Sequence, residues 1–186
     1  MDYKKYFLTT LIVALSISAV IGIYIFLFGE FGDIETKLLI TTLAIGGYSL
    51  TGLCCSTIYN RKELFILSIV GMLISVIGLI LAIISIWEIV DPLDIVHETM
   101  ISIILAVSFG HISLLFLVKP KKDYIKHTLY STILFIIIVA VMLIITIMIE
   151  FKIEEFFWRL LGVFAILDVL GTITTPLLNK IKEKED

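Results

Sequence analysis

The sequence predicts an all-α polytopic membrane protein with six transmembrane helices. Three observations predict it. Six stretches of 19 to 24 residues carry no Asp, Glu, Lys or Arg apart from one, and 30 of the 31 charged side chains lie outside them, Asp168 being the exception. The chain is 60% hydrophobic with a mean hydropathy of +1.12, which leaves little of it for a soluble domain. Strands of a membrane barrel would need only ~10 residues of alternating polarity, and no such alternation occurs.

The apolar stretches are Tyr6 to Phe28, Leu38 to Tyr59, Leu64 to Trp87, Met100 to Val118, Thr128 to Ile149 and Leu160 to Leu178. Each is long enough to cross ~30 Å of hydrocarbon at 1.5 Å per residue. The first run of 23 residues exceeds a signal-peptide core and no A-x-A site follows it, so it is expected to stay as a signal anchor. In it Thr10, Ala14, Ser18 and Gly22 recur every four residues. The third stretch carries a longer small-residue seam, Ser68, Gly71, Ser75, Gly78, Ala82 and Ser85, spaced alternately by three and four. Such stripes allow close helix approach where lipid removes the hydrophobic drive for association.

The linkers alternate in sign. Eleven of the 14 basic residues lie on one side, including Lys4, Lys5, Arg61, Lys62 and Lys180, whereas the other side holds ten acidic residues against Lys37, Lys152 and Arg159. The positive-inside rule then expects both termini in the cytoplasm and the chain in the plasma membrane. The same unit recurs three times, over approximately 1–61, 62–122 and 123–186: a helix out, an acidic turn, and a helix back to a basic linker. These parallel hairpin repeats are expected to form one transmembrane domain, 1–186. At the outer turns the pairs Glu30 with Lys37 and Glu150 with Arg159 are expected, while the second turn offers only His97 as a cation beside Glu88.

Polar residues at depth are the candidates for chemistry. Counted inward from the outer ends of their apolar stretches, Tyr48, His111 and Asp168 lie ~15, ~16 and ~12 Å deep. Thr41, Ala44, Tyr48, Thr51 and Cys55 share one helix face, and Ala165, Asp168, Thr172 and Thr175 another. Ser102, Ala106 and Gly110 lie on a different side of their helix from His111. A central Asp costs ~2.5–3.5 kcal/mol on insertion scales and counts by default as a functional candidate. Asp168 either carries its proton or pairs with His111 or the Tyr48 hydroxyl. One expectation is a proton or cation relay through the three residues. The other is an interhelical hydrogen bond, worth ~0.6–2 kcal/mol, that ties hairpins together.

An enzyme needs a nucleophile and base, or metal ligands, at working spacing. Gly47-Tyr48-Ser49-Leu50 departs from the intramembrane serine protease pattern G-x-S-G at its last position, and Ser49 points about 100° away from Tyr48. The three histidines show no metal-binding spacing, and Cys54-Cys55 is not C-x-x-C. The reading is therefore of a non-enzyme without cofactor or metal. Its basic residues are explained by topology, so no nucleic acid is expected as a partner; the bilayer is, together with a second copy or another membrane protein.

The run from Arg159 to Thr172, RLLGVFAILDVLGT, resembles the closing helix of small six-span prokaryotic integral membrane proteins with no assigned activity. Leu50-Thr51-Gly52-Leu53-Cys54 and His111-Ile112-Ser113-Leu114-Leu115 resemble the same group. The resemblance implies the six-span architecture and draws attention to His111 and Asp168. It implies no activity. Two functions are thus expected as alternatives: a structural, accessory or assembly component, with His111 and Asp168 paired, or a small transporter or channel with a polar cavity reaching Asp168.

Overall fold

A computed structural model describes residues 3–28, 32–118, 120, 122–149 and 154–183. They form six long helices: α1 (Tyr3–Phe28), α2 (Asp33–Ser56), α3 (Phe65–Ile86), α4 (Pro92–Leu115), α5 (Asp123–Met148) and α6 (Glu155–Glu183). A short 3-10 turn, Lys62–Leu64, leads into α3. All six are long and apolar enough to cross a membrane, and the described residues contain no strand. The helices overrun the uncharged stretches because their first turns carry acids, Asp33 and Glu35 in α2, Asp123 in α5 and Glu155 in α6, which the exposed N–H groups and helix dipole favour.

The chain divides into two compact units, Met1–Gly110 and His111–Asp186, the division falling within α4 and inside the second expected repeat. In the first unit the interior is small and polar while large apolar side chains face outward. Ser68, Gly71, Ser75, Gly78 and Ala82 of α3 are buried; Leu73, Val76, Ile77 and Ile80 are exposed. That inversion suits a lipid solvent, where packing and hydrogen bonds drive association.

The α3 seam meets the α2 stripe residue by residue. Ser68 Oγ donates to the Cys55 carbonyl at 2.7 Å, and Thr51 Oγ1 lies 3.0 Å from Ser75 Oγ. A Cβ on Gly71 would strike Cys55 Sγ, and one on Gly78 would sit 2.9 Å from Tyr48 Cζ. Glycine at these two positions is what lets the helices approach. The α1 stripe divides in two: Ala14 is buried and Ser18 Oγ donates to Thr42 Oγ1 at 2.6 Å, whereas Thr10 is exposed and returns its hydroxyl to the Tyr6 carbonyl.

In the second unit α5 and α6 pack through Gly171, whose missing Cβ leaves room for the Thr132 side chain, and through Phe135 and Phe164, whose ring centroids are 6.1 Å apart. Buried Thr132, Thr146 and Thr175 donate to carbonyls four residues back, at 2.9, 2.9 and 2.7 Å. Their hydroxyls are thereby satisfied inside their own helices.

Candidate functional site

Two polar clusters lie deep in the helices, one in each unit. In the first, Tyr48 is buried beside Ala82 and Ala106, and its hydroxyl is 2.8 Å from Ser102 Oγ. Ser102 Oγ also lies 2.8 Å from the Thr99 carbonyl, and when its one hydroxyl hydrogen goes there Tyr48 is the donor to Ser102. The partner of Tyr48 in its own unit is thus a serine that the helix-face reading had set apart with the small residues of α4.

The second cluster joins α4 and α6. His111 Nε2 is 2.9 Å from Thr172 Oγ1, and Thr172 Oγ1 donates to Asp168 Oδ1 at 3.3 Å. Thr172 has one hydroxyl hydrogen: when it goes to Asp168, His111 Nε2 is the donor to Thr172, and the role of Nε2 follows the imidazole tautomer. The expected His111 and Asp168 pairing therefore runs through a threonine, with the Asp168 link the longer of the two. Thr172 was legible as a member of the Asp168 face, but not as the bridge. Pro176 lies within α6 and has no N–H, which deprives the Thr172 carbonyl of its ladder donor four residues on. The bridging residue thus sits in a turn of weakened backbone bonding.

The helix that carries His111, α4, extends outward past Met100 to Pro92, and His111 lies four residues from its other end at Leu115. Asp168 keeps a central position, 13 residues into α6 and 15 from its end. The helix runs through Asp94, His97 and Glu98, which had marked a boundary in the sequence.

At the helix ends, Glu30 and Glu150 lie outside the described residues. Among the described residues Lys37 Nζ pairs with Glu88 at 3.0 Å, a residue beyond α3, and Arg159 pairs with Glu155 one turn away at 2.7 Å. The Trp87 indole donates to Thr41 Oγ1 at 3.1 Å beside the first pair. Glu88 has φ of +50°, and its N–H and that of Ile89 close the end of α3 on the carbonyls of Ser85 and Ile84. That left-handed position normally favours glycine. The acidic residue there can reach Lys37, a partner that a search within one turn cannot find.

A cavity of about 370 Å³ opens in the first unit, with Ile40, Ala44 and Tyr48 of α2, Ala82 of α3, and Ile103 and Ala106 of α4 among its walls. A second, of about 300 Å³, is lined by Phe7, Tyr59 and residues of α3 such as Met72 and Val76. Among the described residues no group of three His, Cys, Asp or Glu comes together that could hold a metal ion.

Helices of this length and polarity, with hydroxyl-rich interiors and apolar exteriors, define a multi-pass helical membrane protein. Compared with known protein families, with curated proteins and with solved structures, the chain finds no match in any of the three.

Proposed function

We propose that the chain is a structural, accessory or assembly component of the plasma membrane, with both termini in the cytoplasm and three outward-and-back hairpins. The bilayer is its first partner, and a second copy or another membrane protein its second. Catalysis, cofactor binding and nucleic-acid binding form no part of this reading. The observation that carries it is the His111–Thr172–Asp168 chain, which uses the deep ionisable groups of the second unit to join α4 to α6. The distribution of lysine and arginine over the linkers supports the topology. Resemblance to small six-span prokaryotic membrane proteins agrees with it.

A second reading, a proton- or cation-linked transporter or channel, is favoured by one feature of the same chain. A hydroxyl that accepts from an imidazole and donates to a carboxylate is an arrangement along which a proton can pass. Proton flux into vesicles of phosphatidylethanolamine and phosphatidylglycerol separates the two. The accessory reading expects no flux above that of empty vesicles, together with lower melting temperatures for Asp168→Asn and His111→Ala. Flux that Asp168→Asn abolishes in a folded protein would replace it with the second.

A further inference from the structure

We infer that the cavity between α2, α3 and α4 seats one acyl chain of a membrane phospholipid. This rests on the membrane-spanning character of the helices and not on the accessory reading.

The chemistry of the wall selects the occupant. Tyr48, Thr51, Ser85 and Thr99 contribute hydroxyls to the lining; that of Tyr48 is paired with Ser102, and those of Thr51 and Thr99 donate to the carbonyls of Tyr48 and Ile95. Apart from Ser85 at one end, what remains is hydrocarbon from residues such as Ile40, Ala44, Ala82, Ile103 and Ala106. An ion or polar solute would lose its hydration there without compensation, and a water would lack the two to four polar partners that hold one in place. The volume, about 370 Å³, lies in the ~300–1,000 Å³ range of small-molecule sites.

The dimensions select it further. From Ile40 to Thr51 the α2 wall rises about 16 Å, close to the ~15 Å of one leaflet's hydrocarbon. One end adjoins Ser85 and Ile86, immediately before Trp87 and the Lys37–Glu88 pair. An indole and a lysine are residues of the membrane interface, where the glycerol backbone of a lipid lies. The other end reaches the Tyr48–Ser102 and Thr51–Ser75 hydroxyl pairs. The mouth is reachable from the bilayer, because Ile40, Ile103 and Val107 on its rim are exposed. Gly47 is part of the lining, and a Cβ built there meets nothing within 4 Å. A side chain at that position would therefore grow into the space assigned to the lipid.

The test uses the full chain in phosphatidylcholine vesicles containing a trace of phosphatidylcholine with a diazirine midway along one acyl chain. After photolysis, adducts are mapped by mass spectrometry. Leu50 is exposed at the same level of α2 and serves as the internal reference for ordinary lipid contact. Adducts on Tyr48, Thr51 and Ala106 at a yield comparable to Leu50 are expected, falling several-fold in Gly47→Leu while the Leu50 yield holds. Adducts at Leu50 without the cavity residues would overturn the inference, and this arm needs no variant to fold. Cavity adducts undiminished in a folded Gly47→Leu protein would also overturn it. So would efficient disulfide dimerisation of Gly47→Cys with loss of the adducts, which would give the space to a second copy.

Discussion

Removing the Tyr48–Ser102 hydrogen bond should cost different amounts depending on which partner is removed. In Tyr48→Phe the phenolic donor disappears, while Ser102 still donates to the Thr99 carbonyl at 2.8 Å and loses only a role as acceptor. The cost should be close to the average deep hydrogen bond between membrane helices, ~0.6 kcal/mol. In Ser102→Ala the Tyr48 hydroxyl keeps its hydrogen among Ala82, Ala106 and the apolar cavity wall, with its recorded acceptor gone. An unsatisfied buried donor costs ~1–3 kcal/mol, so the serine variant should be the less stable although the same bond is broken in both. The double variant, lacking both partners, should recover towards the Tyr48→Phe value. Equilibrium unfolding by denaturing detergent in bicelles measures all three. A Tyr48→Phe protein as destabilised as Ser102→Ala would refute the assignment of Tyr48 as donor and Ser102 as spent on Thr99.

Glu88→Gly should raise the melting temperature: glycine removes a left-handed strain of ~1–2 kcal/mol. The Lys37 pair it gives up, half-buried at the lysine and exposed at the acid, is worth ~0–1 kcal/mol, and Glu88→Ala, which loses the pair and keeps the strain, should not stabilise in the same thermal scan. Alanine at Gly171 should destabilise by ~1–3 kcal/mol, since the new Cβ meets the Thr132 side chain, with Thr132 Cβ at 3.0 Å. Alanine at Gly162, which meets nothing within 4 Å, should stabilise by ~0.5–1 kcal/mol. Equal responses at the two glycines in a thermal scan would contradict the described α5–α6 packing.

Periodicity made the two packed faces of the first unit legible. Serine, glycine and alanine at alternating spacings of three and four in α3, and the Tyr48, Thr51 and Cys55 stripe in α2, are the residues that meet. Spacing defines a face without naming its partner, so the α2 stripe, read as a polar track for chemistry, proves to be one side of a helix contact. The same limit hid Ser102 behind Tyr48 and Thr172 between His111 and Asp168, because a hydroxyl has no sequence signature as a bridge. The start of α4 was misplaced for a different reason. Charged residues end an uncharged run, but helix turns continue past them, and Pro92 at the first helical position needs no N–H donor there. Among the described residues Lys37 meets Glu88, at the far end of α3, a partner that spacing within one turn does not reveal.

The central claim is that the deep ionisable residues of the second unit act together as a tie between helices. A double-mutant cycle on unfolding stability tests it most directly, with His111→Ala, Asp168→Asn and the pair of changes compared in bicelles. A coupling energy of about 0.6–2 kcal/mol, abolished in a Thr172→Val background and kept in Thr172→Ser, is the predicted result. Additive effects, indifferent to residue 172, would contradict the account.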